Sequence, residues 1–329
     1  MHRHRTMRTA LAAGLFLATF LASPATSQQV QYYDLPKGDH PHDVAPAPDG
    51  TVWYTGQHAG VLGQLDPKTG EIKRVPLGDG SAPHGVIVGP GGAAWATDSG
   101  LNAIVRVDPK THEVKRWPLP KDRPGANLNT AAFDAKGRIW FTGQAGIYGR
   151  LDPASGEMKV WDAPRGYGPY GIAATPDGAI WYVSLAGSYL AKPDLETGKV
   201  DPIDPSKKGS GTRRVWSDSQ GRQWVSEWNT GTLSVYDPLK KTWQTWPLPG
   251  EDPSTYAVFV DDKDKVWVSD FGGNAILRFD PQTETFESFP SNRMHADVRQ
   301  MLGRPGEVWG AESGTDRLVV IRTAPDRAP

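Results

Sequence analysis

Residues 81–120, SAPHGVIVGPGGAAWATDSGLNAIVRVDPKTHEVKRWPLP, form one unit of four short apolar segments separated by turn residues. A first segment begins at Gly85, a Gly-rich turn follows, and a second segment runs through Trp95. The third ends at Asp108 and Pro109, where proline has no N–H to continue a strand ladder, and a fourth segment follows. Short apolar runs bounded by turn signals predict an antiparallel four-stranded sheet.

The unit recurs along the chain at a nearly constant spacing. Tryptophans 41 to 45 residues apart mark its second segment: Trp53, Trp95, Trp140, Trp181, Trp224, Trp267 and Trp309. A period of about 40–45 residues with four strands per repeat is typical of a β-propeller, in which each repeat forms one blade. The sequence therefore predicts an all-β, seven-bladed β-propeller of four-stranded blades, with these tryptophans packed between blades.

The two ends of the repeat region predict how the ring closes. RLVVIRT (317–323) is a third-strand pattern with no fourth strand after it, and VQYYDLP (30–36) is a fourth-strand pattern with no blade before it. Pairing the two would remove two open sheet edges. We therefore expect the N-terminal strand to complete the last blade of a single domain over residues 28–329.

Residues 1–27 have a different composition from the repeats. A basic start is followed by an apolar run over residues 11–22, and the small residues Ala25 and Ser27 precede Gln28. This order predicts a cleavable signal peptide and a periplasmic or secreted protein. The chain has no cysteine, which excludes disulfides and covalently attached haem.

Charge narrows the class of partner. With 36 basic and 37 acidic residues, the chain lacks the excess charge that binds nucleic acid or anionic membranes. We expect a monomer with no nucleic-acid partner and no membrane span, which binds a small-molecule ligand at the mouth of the central channel.

Two positions in the repeat are expected to face one end of that channel. In an antiparallel blade, the start of the first strand and the end of the second lie on the same face of the disc, where loops often form ligand sites. Eleven residues before each tryptophan stand His42, His84, Asn129, Tyr170, Arg213 and Tyr256, and in the seventh repeat the count falls on Val298, beside Arg299. Three residues after each tryptophan stand Gly56, Asp98, Gly143, Ser184, Glu227, Asp270 and Glu312.

Neither series is uniform, as a purely structural repeat position would be. Mixed polarity at a channel mouth suits a polar ligand or a metal ion. The predicted substrate-binding residues are Asn129, Tyr170, Arg213, Tyr256 and Arg299. The predicted metal ligands are Glu227, Asp270 and Glu312, which follow one another on consecutive blades. The alternative is a water-filled polar channel in which acids and arginines pair across the ring.

Four segments resemble the streptogramin B lyase (virginiamycin B lyase) family: APHGVIVGPGGAAW (82–95), GRIWFTG (137–143), GPYGIAATPDGAIWY (168–182) and NAILRFDP (274–281). The resemblance extends over all seven repeats and implies a seven-bladed propeller. It also implies the activity of the type enzyme, a Mg²⁺-dependent elimination that opens the ester of a cyclic depsipeptide antibiotic without water entering the bond.

The resemblance assigns roles to two histidines. The family pattern places one histidine before the first strand of a blade and a Glu-Pro-His unit at the matching place on the next blade, and His42 and His84 occupy these positions. His84 is then expected to be the catalytic base and His42 its metal-side or proton-relay partner, while Mg²⁺ polarises the ester carbonyl. Ala82 stands where the family has glutamate, which leaves Asp43 or Asp98 as its replacement.

Two functions stay open at this point. The first is a metal-dependent carbon–oxygen lyase acting on a cyclic ester, a depsipeptide or a related lactone. The second is a non-catalytic periplasmic propeller that binds a small polar ligand or a protein. A metal-dependent lactone hydrolase of the six-bladed kind is disfavoured by the seven repeats.

Overall fold

Seven antiparallel sheets surround a central channel in the computed structural model, which describes residues 29–323. The first strands of neighbouring blades contact one another all round the ring, so they line the channel. The seven-bladed propeller predicted from the tryptophan spacing is confirmed. The predicted signal peptide, residues 1–27, lies outside the described residues. Across residues 29–323, no helix has the length and apolar character needed to cross a bilayer.

The strands of each blade follow one another outward from the channel. The innermost strands are β2 (Pro41–Pro46), β6 (Pro83–Val88), β10 (Leu128–Phe133), β14 (Pro169–Ala174), β17 (Thr212–Ser217), β21 (Thr255–Val260) and β25 (Val298–Arg304). The second strands are β3 (Val52–Gly56), β7 (Ala94–Asp98), β11 (Ile139–Gly143), β15 (Ile180–Ser184), β18 (Gln223–Glu227), β22 (Val266–Asp270) and β26 (Glu307–Glu312). The third strands are β4 (Val61–Leu65), β8 (Ala103–Val107), β12 (Ile147–Leu151), β16 (Tyr189–Ala191), β19 (Thr232–Asp237), β23 (Ala275–Asp280) and β27 (Arg317–Arg322). The outermost strands are β5 (Ile72–Pro76), β9 (Val114–Pro118), β13 (Met158–Asp162), β20 (Thr242–Pro247), β24 (Thr285–Pro290) and β1 (Gln29–Asp34), and a 3₁₀ turn, Pro90–Gly92, joins β6 to β7.

The N-terminal strand closes the ring, as predicted. β1 pairs antiparallel with β27 along its whole length and forms the outer edge of the seventh blade. Tyr33 of β1 stacks on Trp309 with ring centroids 5.5 Å apart, and Leu35 packs into the same apolar cluster. Closure therefore combines strand pairing with burial of apolar side chains.

Blade 4 departs from the four-stranded repeat. Its third strand, β16, has three residues, and in the described chain no outermost strand follows it. Instead, Leu190 forms an isolated antiparallel bridge with Ile203. Pro193 stands two residues after β16 and has no N–H to extend the ladder, which accounts for the short strand.

The repeat tryptophans pack between blades, as their spacing predicts. All seven are buried, with at most 6 % of their surface exposed. In several blades the indole N–H also donates to an acid in the hairpin before it, as from Trp140 to Asp134 at 2.9 Å and from Trp224 to Asp218 at 3.0 Å. These bonds satisfy a polar group that burial would otherwise leave unpaired.

Candidate functional site

A β-bulge sets which residue faces the channel in each blade. The register between the first two strands shifts by one residue near the start of the first strand in every blade of the described chain, for example between Pro41 and Val44. Two residues of the first strand, such as His42 and Asp43, therefore oppose one residue of the second. A bulge of this kind redirects side chains at the end of a sheet.

The seventh blade keeps this geometry although the residue count differs. Trp309 pairs with Leu302, seven positions earlier, whereas Trp53 pairs with Ala45, eight positions earlier. The hairpin of blade 7 is therefore one residue shorter, and the counterpart of His42 is Arg299.

In four blades, a hydroxyl near the end of the second strand fixes the bulge against the next blade. Thr55 accepts the N–H of Asp43 at 2.9 Å and donates to the carbonyl oxygen of His84 at 2.9 Å. The hydroxyls that make the same two bonds in blades 2, 3 and 5 are those of Thr97, Thr142 and Ser226. The backbone of the channel-facing residues is thus held on both sides.

His42 and His84 are in contact at the channel. Their ring centroids are 3.6 Å apart, and the residues are 2 % and 5 % exposed. Nδ1 of His42 lies 2.7 Å from Oδ1 of Asp43, and Nδ1 of His84 lies 3.1 Å from the carbonyl oxygen of Asn129. Because a carboxylate and a carbonyl only accept hydrogen bonds, both Nδ1 atoms carry the hydrogen and Nε2 is the basic nitrogen of each ring. Nε2 of His84 accepts a hydrogen bond from Nδ2 of Asn129 at 3.3 Å.

Burial and positive charge keep both imidazoles neutral. Burial lowers the pKa of His42 well below its usual value, and Arg214 and Arg299 lower it further. Burial also lowers the pKa of His84, and so does His42, while Asp43 opposes them. Burial raises the pKa of Asp43, against the influence of Arg214. Two unprotonated imidazoles next to a carboxylate form a group that can accept a proton.

Asp43 and Arg214 link opposite sides of the channel. Nη2 of Arg214, on blade 5, donates to Oδ1 of Asp43, on blade 1, at 3.1 Å. Nη1 of the same arginine donates to Oγ1 of Thr130 at 2.5 Å. Asp43 and Arg214 are 1 % and 4 % exposed, so this ion pair is almost fully removed from water. A buried ion pair adds little net stability, but removing one partner is strongly destabilising because the other charge stays buried and unpaired.

The rest of the mouth is aromatic and cationic. The hydroxyls of Tyr170 and Tyr256 are 2.5 Å apart. The guanidinium carbon of Arg213 lies 3.6 Å from the ring centroid of Tyr256 and 4.5 Å from that of Trp228. Arg299 lies over Tyr256 at 5.8 Å. The structure therefore gathers arginine side chains on tyrosine and tryptophan rings, a favourable cation–π arrangement.

The first predicted series is brought to one structural position. Its members each occupy the second residue of an innermost strand: His42, His84, Asn129, Tyr170, Arg213, Tyr256 and Arg299. Sequence reasoning missed Thr130, Trp228 and Phe271, which contact this series. Trp228 and Phe271 stand four residues after a repeat tryptophan, one beyond the position counted, so the same count would have found them.

The three predicted metal ligands are not brought together. Glu227 accepts three hydrogen bonds from side-chain hydroxyls of blade 5 and the loop before it. Asp270 accepts the N–H of Ser254 at 2.8 Å, and Glu312 forms an ion pair with Arg317 at 2.6 Å. Each carboxylate thus fastens a loop of the propeller. Side chains at the end of the second strand turn toward these loops, and within residues 29–323 the three carboxylates are not grouped as ligands of one ion.

The two replacements considered for the missing family glutamate also separate. Asp98 accepts the Ser81 hydroxyl at 2.5 Å and the N–H of Ala82 at 3.0 Å, so it fastens a loop. Asp43 instead lies against His42. Within residues 29–323, the group with metal-ligand atoms close together is His42, Asp43 and His84, whose ligand atoms lie within 4.8 Å of one another.

This group is a poor match for Mg²⁺. Magnesium prefers six oxygen ligands, whereas two of the three donors here are imidazole nitrogens, which suit transition metals. Oδ1 of Asp43 already accepts from Arg214, whose positive charge opposes a second cation. The other oxygen, Oδ2, is buried without a hydrogen-bond partner in the described chain and is the one carboxylate oxygen the group has left to offer. Each neutral histidine ring also has a single lone pair, at Nε2, and that of His84 already accepts a hydrogen bond from Asn129. A ring that binds a metal through Nε2 therefore cannot act as a base.

Fold and site together define a seven-bladed propeller whose channel mouth holds a buried histidine pair and an arginine–tyrosine cluster. The model of the virginiamycin B lyase family matches residues 17–240, and the chain belongs to this family.

Solved structures agree with the assignment at the level of fold. Selenomethionine-substituted virginiamycin B lyase from Staphylococcus aureus is 19 % identical, with a TM-score of 0.83 over 91 % of this chain and 100 % of that one. A streptogramin B lyase structure is 21 % identical, with a TM-score of 0.82 over 90 % of this chain and 97 % of that one. YCF48 bound to D1 peptide is 15 % identical, with a TM-score of 0.72 over 93 % of this chain and 99 % of that one. No curated protein matches the sequence.

Proposed function

We propose that this protein is a carbon–oxygen lyase that opens a cyclic ester, a depsipeptide or a related lactone in the periplasm or outside the cell. The observation that carries the proposal is the contact between His42 and His84 at the channel, with a basic Nε2 on each ring. A general base must be unprotonated before it reacts, and the lowered pKa of both residues meets this condition. Membership of the lyase family supports the same reaction class.

The proposed reaction is an elimination. Nε2 of His84 removes a proton from the carbon next to the one that bears the ester oxygen. The C–H electrons form a carbon–carbon double bond, the carbon–oxygen bond breaks, and the carboxylate leaves. No water enters, so the opened product has the mass of the substrate.

Asp43 supplies the negative charge that this proton transfer needs. Its carboxylate raises the pKa of His84, against the lowering by burial, and therefore favours the protonated ring. It also holds the Nδ1–H of His42, which fixes the orientation of that ring against His84. We assign His42 and Asp43 as positioning residues and His84 as the base. No step uses the Mg²⁺ of the family. Magnesium prefers six oxygen ligands, and the group here offers two imidazole nitrogens and one carboxylate.

Liquid chromatography with mass detection of a streptogramin B incubated with the protein tests the reaction. Elimination gives a linear product that separates from the cyclic substrate at unchanged mass, and hydrolysis adds one water. His84→Gln should abolish the product while the thermal unfolding curve stays that of a folded protein. His112→Gln, in an outer connection of blade 2, is the matched control and should retain turnover. Unchanged turnover by His84→Gln would contradict the assignment of the base.

A second candidate function is ligand binding without chemistry, favoured by the near-complete burial of His42 and His84. The absence of the family glutamate at Ala82 points the same way. A product search over several cyclic esters separates the candidates. Ligand binding with no product from any ester would favour the binding protein.

A further inference from the structure

The channel mouth carries more positive than negative charge. Arg213, Arg214 and Arg299, here called the arginine cluster, come from the bulges of blades 5 and 7. Arg214 is buried, and the other two are half-buried. Among residues 29–323, Asp43 is the only carboxylate in an ion pair with any of the three. Two of the three guanidinium groups therefore have no anionic partner in the described chain.

Hydrogen-bond donors of the cluster are also left over. Nε of Arg213 and Nε of Arg214 are buried, with no hydrogen-bond partner in the part of the chain that the structure describes. Arg299 uses its Nε on the Ser313 hydroxyl at 2.7 Å. A buried guanidinium donor without an acceptor is unfavourable, and gathering three cations adds repulsion. An anion at the channel mouth would offset this repulsion.

Tyrosine rings hold the cluster together. The guanidinium carbons of Arg213 and Arg299 lie 3.6 Å and 5.8 Å from the ring centroid of Tyr256. That of Arg214 lies 5.3 Å from the ring centroid of Tyr170, whose hydroxyl also accepts a hydrogen bond from Arg213 at 3.1 Å. The planar guanidinium groups are thus held in place before any ligand arrives, which lowers the entropic cost of binding.

We propose that the arginine cluster is a subsite for an anionic group of the ligand, a carboxylate or a phosphate. Both groups present pairs of oxygens that match the fork of a guanidinium. The subsite lies at the same channel mouth as the proposed lyase site. In that reaction it binds the carboxylate that leaves, a role that rests on the proposed function. Anion binding itself does not require turnover.

Calorimetric titration of EDTA-treated protein tests the subsite. The probes are phenylacetate, its neutral isostere phenylacetamide, and inorganic phosphate, each at low ionic strength. We expect one of the two anions to bind about tenfold or more tightly than the amide, and the affinity to fall as salt is added. The tighter of the two anions identifies the ligand class as carboxylate or phosphate.

Two variants locate the binding. Arg213→Gln and Arg299→Gln should each weaken anion binding about tenfold and leave binding of the amide unchanged. Arg299 is the second choice in case Arg213→Gln fails to fold, and circular dichroism checks both. Arg106→Gln, in the third strand of blade 2, is the matched control and should bind like the wild type.

The subsite is overturned if neither phenylacetate nor phosphate binds more tightly than phenylacetamide, or if folded Arg299→Gln binds the tighter anion as the wild type does. The lyase proposal is tested separately. His84→Gln should lose the elimination product and keep anion binding. A wild-type protein that forms the elimination product but binds neither anion would remove the subsite and leave the lyase.

Discussion

Replacing Tyr33 with alanine should destabilise the whole ring, because this side chain anchors the closing strand. Tyr33 is 9 % exposed, stacks on Trp309, and donates its hydroxyl to the carbonyl oxygen of Pro67 at 3.0 Å. Truncating a buried aromatic residue typically lowers the free energy of unfolding by about 3–5 kcal/mol. Because the Tyr33 ring lies near the surface, we expect about 3 kcal/mol. Leu35→Ala should remove about 2–3 kcal/mol by the same reasoning.

Urea unfolding, followed by tryptophan fluorescence, measures this effect. The urea concentration at the midpoint should fall, while the slope of the free energy of unfolding against urea concentration should stay constant. The free energy of unfolding of a domain is typically about 5–15 kcal/mol, so a protein with both Tyr33→Ala and Leu35→Ala should lose a large share of it. Val30→Ala is the matched control in the same strand; Val30 is 39 % exposed, and the change should stay under about 1 kcal/mol. Deleting residues 28–36 should have a larger effect than either single substitution. A Tyr33→Ala protein within about 1 kcal/mol of the wild type would refute closure by this strand as a source of stability.

Three further predictions concern the channel. Thr55→Val should lower the free energy of unfolding by about 1–3 kcal/mol, because the Asp43 N–H and the His84 carbonyl lose their partner; Thr55→Ser should retain both bonds, which urea unfolding can check. Asp43→Leu should remove about 3–5 kcal/mol, because Arg214 stays buried without its carboxylate, and adding Arg214→Met should recover most of the loss in a double-mutant cycle. Below pH 6.5, the usual pKa of histidine, His42 and His84 take up protons in the unfolded chain. In the folded protein they do not, because burial lowers the pKa of both. The stability of EDTA-treated protein should therefore fall by about 3 kcal/mol from about pH 7.5 to about pH 5.5, and a variant with both histidines changed to glutamine should lose most of this dependence.

The tryptophan period was enough to predict the fold, and the two chain ends were enough to predict its closure. The period works because blades 1 to 6 repeat the same register between their first two strands, so a residue count locates the channel-facing series from His42 to Tyr256. In blade 7 the register differs by one, and the count falls beside Arg299. Position along a strand does not determine where a side chain turns. Glu227 and Asp270 stand at the end of a second strand and bind loops, which the count alone could not show.

Contacts across the ring were also beyond the sequence. Asp43 and Arg214 stand 171 positions apart in the chain, and only the curvature of the disc brings blade 1 opposite blade 5. The burial of His42 and His84, and the lowered pKa that follows from it, depend on this same closure. Local spacing contains no information on which side chains meet across a channel.

The hydroxyl bonds at the bulges separate support of the main chain from contact with a ligand. Thr55, Thr97, Thr142 and Ser226 hold the main chain of the bulge through bonds that do not involve the side chain at the second position of the innermost strand. The same main-chain bonds therefore accommodate histidine, asparagine or arginine at this position. A combinatorial library restricted to these positions should therefore yield folded proteins with new ligand preferences.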